Sequence, residues 1–201
     1  MSSTRLKSFE RLASEARKCT ICEAMRDKTA VLSELNGSLA PRVFFVAEAP
    51  GRQGADRTRR PFYGDKSGEN FQLFLDSIGL IREEIFITNS VLCSPRKPNG
   101  ANRRPLKSEM NNCSGYLLRT LELIDPGLVV PLGSVALEAL GMLEPHGLTL
   151  KEDVGKVVVW NGRELLPLYH PSPQVIASTR NIEAQLRDYE ALGKALKRLG
   201  L

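Results

Sequence analysis

Apolar and polar positions alternate between two rhythms along this chain. Three short apolar runs, Val43-Phe44-Phe45-Val46, Ile85-Phe86-Ile87 and Leu128-Val129-Val130, predict strands buried on both faces over residues 42–47, 85–92 and 128–132. Before and between them, apolar residues return at helical spacing. Leu6, Phe9, Leu12, Ala13 and Ala16 predict a helix over 5–17, and Phe71, Phe74, Leu75 and Ile78 predict one that ends at Gly79. Leu117, Leu118, Leu121 and Ile124 lie on one face of a helix over 108–124, stopped by Asp125-Pro126-Gly127. Gly133-Ser134 opens a short helix to about residue 140, and residues 182–199 form the last helix. Residues 156–160 and 164–169 flank Asn161-Gly162, the dipeptide that best tolerates the positive φ of a tight hairpin turn. Strands separated by helices need crossover connections, which give a mostly parallel sheet covered on both faces. The 201 residues, 42% of them hydrophobic, suffice for one substantial core, so a single domain over 1–201 is expected.

Two peptides stand where predicted strands hand over to loops. Ala47-Glu48-Ala49-Pro50-Gly51 follows the first strand, and His170-Pro171-Ser172-Pro173 follows the run Leu165-Leu166-Pro167-Leu168-Tyr169. The carboxyl edge of a parallel sheet is where α/β folds place their sites. A carboxylate, a proline-stiffened turn and one of only two histidines would meet there, the makings of an acid/base or charge-stabilising site. His146, in Glu144-Pro145-His146-Gly147, lacks such a setting and is expected in a surface loop.

Charge sharpens this picture through its distribution. The net charge of +5 is mild. Arg96, Lys97, Arg103, Arg104 and Lys107 lie in one loop with no acid among them, and Arg52, Arg57, Arg59 and Arg60 surround a lone Asp56 in another. Both loops follow predicted strands, so both should rim the same sheet edge, an arrangement suited to a polyanion such as nucleic acid. No apolar run nears the roughly 18 residues of a membrane span, and no signal-peptide core precedes residue 18, so a soluble, cytoplasmic protein with no membrane partner is expected. In that reducing compartment four cysteines more often hold metal or do chemistry than form disulfides. Cys19 and Cys22 form a C-x2-C pair, and Cys93 and Cys113 follow after 70 and 19 intervening residues. Four thiolates suit either zinc or an iron-sulfur cubane, and spacing leaves both open.

Five separated motifs resemble, in order, those of the uracil-DNA glycosylase superfamily: Ala47-Glu48-Ala49-Pro50-Gly51, Pro61-Phe62-Tyr63-Gly64, Ile87-Thr88-Asn89, Leu132-Gly133-Ser134 and His170-Pro171-Ser172. The four cysteines resemble those of its iron-sulfur families 4 and 5. The resemblance implies a three-layer α/β/α sandwich around a central four-stranded mostly parallel sheet, with a 4Fe-4S cluster on Cys19, Cys22, Cys93 and Cys113. Glu48 and Asn89 look like family 4. Gly54-Ala55-Asp56-Arg57-Thr58 and Gly64-Asp65-Lys66-Ser67-Gly68 look like family 5, so Asp56 and Glu48 are both candidate catalytic carboxylates, Asp56 slightly ahead.

Cleaving the bond between deoxyribose and uracil creates an oxocarbenium-like sugar and a uracil anion, so negative charge is needed near the sugar and a donor near O2. His170 is the expected donor, and Phe62 the stacking platform for a base turned out of the helix. Asn89 offers a donor and an acceptor to the O4 and N3 edge of uracil. Ala49 and Gly51 in the first motif, Ser134 and Ser172 at turns, and Asn102 in an Asn-Arg segment like that of family 5 complete the expected substrate contacts. Gln174-Val175-Ile176 is expected as a hairpin-like wedge. The reading is a monomeric, monofunctional glycosylase acting on DNA that contains uracil or other deaminated bases. The alternatives are a same-fold glycosylase for hypoxanthine or xanthine, and a non-catalytic iron-sulfur DNA-binding or redox module.

Overall fold

The computed structural model describes residues 3–201. Its centre is a five-stranded sheet of β1 (Val43–Ala47), β2 (Ile85–Asn89), β3 (Leu128–Pro131), β4 (Val158–Trp160) and β5 (Arg163–Leu165), in the order β2-β1-β3-β5-β4. Four strands are parallel, as expected, and β4 adds a fifth, antiparallel one. The correction from four strands to five follows from the Asn161-Gly162 turn, whose φ values of 47° and 71° fold β4 back along β5. β2 is shorter than expected because the chain bends after Asn89, although Ser90 N still donates to Ala47 O at 2.8 Å and Val91 N to Glu48 O at 3.2 Å. Beyond β5, Leu166 and Leu168 donate to Val129 and Pro131 and carry the ladder onward, while Pro167 has no N–H to add.

The described residues also hold three 3-10 turns and eight α-helices: α1 (Ser3–Arg17), α2 (Ala55–Thr58), α3 (Lys66–Ser77), α4 (Lys107–Ile124), α5 (Ser134–Leu143), α6 (Leu150–Asp153), α7 (Pro173–Ser178) and α8 (Ile182–Leu199). Alternation along β1 divides the core. Phe44 and Val46 face the layer of α1, α4 and α5, whereas Val43, Phe45 and Ala47 face α3 and α8. That is the expected three-layer sandwich. Aromatic packing fixes each layer, with Phe44 stacked on Phe86 at 5.3 Å on one side and Phe45 edge-on to Phe71 at 5.2 Å on the other.

Two helix starts orient the site. Asp65 caps α3 by accepting from Gly68 N at 2.9 Å. Ser172 caps α7 by accepting from Val175 N at 3.4 Å, with Pro173 just inside the helix. Residues 174–176 are therefore helical, which corrects the hairpin expectation: Ser-Pro here is a capping signal rather than a turn between strands.

Candidate active site

The parallel register aligns the strand ends. Ala47 is level with Asn89, and Leu132 bridges to Leu168, so Glu48, Asn89, Gly133 and His170 emerge at one edge. A cavity of about 430 Å³ opens there. Glu48, Ala49, Gly51, Phe62, Asn89, Asn102, His170 and Ser172 all line it. Asp65 and Ser67 line it too, beyond the expected substrate contacts, as do Gln174 and Val175 of the expected wedge. Asp65 carries two sequence signals, its place in the motif Gly64-Asp65-Lys66-Ser67-Gly68 and its capping position three residues before Gly68.

Each wall has its own physical character. The Asn89 side chain is buried, and its Nδ2 has no hydrogen-bond partner. A buried amide donor left open is costly unless a ligand supplies the acceptor. His170 is partly buried and lies 5.4 Å from the Phe62 ring. Burial disfavours its imidazolium and lowers its pKa to about 4, so the ring is neutral at pH 7. Half-buried Glu48 has its pKa raised by burial, an effect that the positive charge of Arg104 opposes. Phe62 stacks on Phe71 with centroids 4.6 Å apart and holds a φ of 49°. At Gly51 a Cβ would stand in ordinary contact, 3.6 Å from both Asn102 Nδ2 and Asp65 Oδ2, so those side chains close around the first motif. Asn102 Oδ1 accepts from Arg52 N at 3.1 Å and ties the basic loop to the first motif.

Two expected residues lie elsewhere. Asp56 is outside the cavity wall, in ion pairs with Arg96 and, at 3.7 Å, with Arg59. Ser134 is exposed at the start of α5, also outside the cavity. The basic loops differ from expectation as well, because many of their cations are engaged internally. Arg103 forks onto Glu109 at 2.8 and 2.5 Å, Arg104 pairs with Glu138 at 2.7 Å, and Arg57 donates to the carbonyls of Gln53 and Gly64. His146 is partly buried, with Nε2 3.0 Å from Leu137 O and Nδ1 accepting from Leu148 N at 3.3 Å, so its role is to tie down the end of α5.

All four cysteines are free thiols that share one neighbourhood. Burial, followed by the charges of the other three, pushes Cys93 up to about 12. Burial likewise pushes Cys113 up to about 11, with Cys22 and Cys19 adding to the rise. Leu92 N donates to Cys113 Sγ and Asn112 Nδ2 to Cys22 Sγ, both at 3.5 Å. Among the described residues no three Cys, His, Asp or Glu side chains gather tightly enough to hold a single metal ion. No helix among them is long and apolar enough to cross a membrane.

Residues 36–197 match the family model described as the uracil DNA glycosylase superfamily. Curated relatives agree. The chain is 34% identical over 170 residues to a type-4 uracil-DNA glycosylase of Thermotoga maritima, covering 84% of each chain. It is 31% identical over 194 residues to a type-4 uracil-DNA glycosylase of Archaeoglobus fulgidus, covering 94% of each. A type-5 uracil-DNA glycosylase of Pyrobaculum aerophilum is 33% identical over 176 residues, covering 81% of this chain and 72% of the other.

The environment of His170 yields a direct test. With only two histidines in the chain, a His146→Gln variant leaves one imidazole to follow by NMR. His170 should stay neutral from pH 8 to below pH 5 and protonate towards its lowered value of about 4. Because the unfolded chain takes up that proton near 6.5, this site should cost folding stability as the pH falls below about 6.5. Titration at or above 6.5 would contradict the buried, neutral ring.

Proposed function

The chain belongs to the uracil-DNA glycosylase superfamily, and on that premise we propose that it hydrolyses the N-glycosidic bond of uracil turned out of DNA, releasing the base and leaving an abasic site. We propose further that it acts as one monomeric domain. The observation that carries the reading is the unpartnered, buried Asn89 amide in the same cavity as a neutral histidine and a half-buried carboxylate.

In this reading Asn89 Nδ2 donates to uracil O4 and its Oδ1 accepts the N3 proton. Cytosine presents the reverse pattern and would leave a buried amide misparied at both atoms, the kind of mismatch that rejects a wrong substrate strongly. Phe62 stacks on the base. As the C1′–N1 bond breaks, its electron pair moves into the ring towards O2, and the neutral His170 imidazole donates a hydrogen bond to that oxygen. Glu48 carries the negative charge that favours the cationic sugar, and it takes a proton from the water whose oxygen bonds to C1′. Its cavity position makes Glu48 our choice of acting carboxylate over Asp56, whose oxygens are committed to Arg96 and Arg59. No lysine is among the residues lining the cavity, in keeping with hydrolysis rather than Schiff-base chemistry. Ala49 and Gly51 border the base, Asn102 and Ser172 the sugar and its phosphates, and exposed Ser134 is suited to a phosphate further along the strand.

We propose that Cys19, Cys22, Cys93 and Cys113 hold a 4Fe-4S cluster. The donor set fits it: four thiols lie close enough that the other three raise the pKa of Cys93, and two receive N–H donors of the kind that surround cluster sulfurs. In a cubane each thiolate binds its own iron, so the four stand further apart than the ligands of one zinc ion. Such a cluster supplies a cross-link between the start of the chain and the sheet.

On duplexes carrying one uracil, hypoxanthine, xanthine or normal base, the protein should release uracil, and His170→Ala should slow single-turnover release on the order of a hundredfold. No release from any duplex would leave a DNA-binding module in place of the glycosylase. Anaerobically purified protein should contain about four irons and four acid-labile sulfides per chain. Stoichiometric zinc without sulfide would refute the cluster assignment.

A further inference from the structure

Phe62 is the one large residue of the cavity wall that sits in the left-handed region, at φ 49°. A bulky side chain holds that backbone only when its surroundings impose it, and such strain gathers at sites that must be preset. Two neighbours impose it here. Gly68, in the first turn of α3, leaves space for the Phe62 carbonyl, since a Cβ would stand 2.5 Å from that oxygen. Arg82, just before β2, grips the same peptide from outside the cavity: Nη1 donates to Pro61 O at 3.1 Å and Nη2 to Phe62 O at 2.6 Å.

The same guanidinium also governs the ring. Its Nε donates to Gln72 Oε1 at 2.8 Å, and its Cζ lies 5.5 Å from the centroid of Phe71, the ring on which Phe62 stacks. Arg82 is half-buried and forms no ion pair among the described residues; its donors go to carbonyls and an amide. A half-buried cation without a counter-ion is a poor source of stability. Its five donors in a rigid plane are instead a good template for holding two successive carbonyls and a neighbouring ring in fixed relation.

We propose that Arg82 is a positioning residue that presets the Phe62 ring for the base it stacks on, and so sets how tightly the cavity holds that base. The inference rests on the reading of Phe62 as the stacking platform. Arg82 touches neither base nor reacting atoms.

The test is a double-mutant cycle with Arg82→Gln and Phe62→Ala, in full-length protein, read as inhibition of single-turnover excision by free uracil, which reports base stacking without DNA contacts. Arg82→Gln should weaken uracil inhibition on the order of tenfold when Phe62 is present and leave it nearly unchanged in the Phe62→Ala background. Arg82→Lys, which keeps the charge but lacks the fork, should fall between Arg82→Gln and the parent and serves where Arg82→Gln fails to fold. Equal losses in both backgrounds, tracking a lowered melting temperature, would make Arg82 merely structural and overturn the proposal while sparing Phe62. Unchanged inhibition in Phe62→Ala alone would overturn the stacking reading and the proposal with it.

Discussion

The site depends on one constraint, the parallel register of β1 between β2 and β3. Val43 to Ala47 pair residue by residue with Ile85 to Asn89, and Phe44 to Val46 with Val129 to Pro131. All five residues of β1 are buried, so a slip of one position would turn its two sets of side chains onto the wrong helix layers. Core packing therefore fixes where the strands stop. Because they stop together, Glu48, Asn89 and His170 leave three different strands within one cavity.

Arginine does much of the remaining positioning. Asp56 receives Arg96 from the loop after Cys93, and Arg59 beside it donates to Thr29 O and Ala30 O, shortly after Cys22. The segment after the first motif is thus tied close to both stretches that carry cysteines. Arg103 and Glu109 close the basic loop onto the start of α4, where Glu109 also accepts from Leu106 N. With these cations committed, Arg52 and Lys97 remain exposed on the same two loops, and the cavity keeps a neutral imidazole.

Much of this was legible in the sequence. Continuous apolar runs marked β1, β2 and β3, helical spacing marked α1 and α4, and the closing helix matched at both ends, Ile182–Leu199. Short elements escaped because they carry no periodicity: α2 and α6 have four residues each, and α7 is recognisable only from the Ser172 cap and Pro173. Motif order brought Glu48, Phe62, Asn89 and His170 together correctly as neighbours of one cavity. It could not reveal that Asp56 turns towards Arg96, since a carboxylate in a basic loop reads the same whether it serves a substrate or an internal ion pair. Nor could it find Arg82, whose partners are backbone carbonyls twenty and twenty-one residues away.

The central claim is that position in the cavity, not motif likeness, selects the acting carboxylate. Single-turnover uracil release by Glu48→Gln and Asp56→Asn, compared at saturating enzyme and normalised to folded protein, tests it most directly. Both substitutions remove a charge and preserve shape. Glu48→Gln should slow the chemical step by on the order of a hundredfold, with DNA affinity retained, and Asp56→Asn should lower stability while leaving the rate per folded molecule near that of the parent. A full rate in Glu48→Gln with a slow chemical step in stably folded Asp56→Asn would contradict the account.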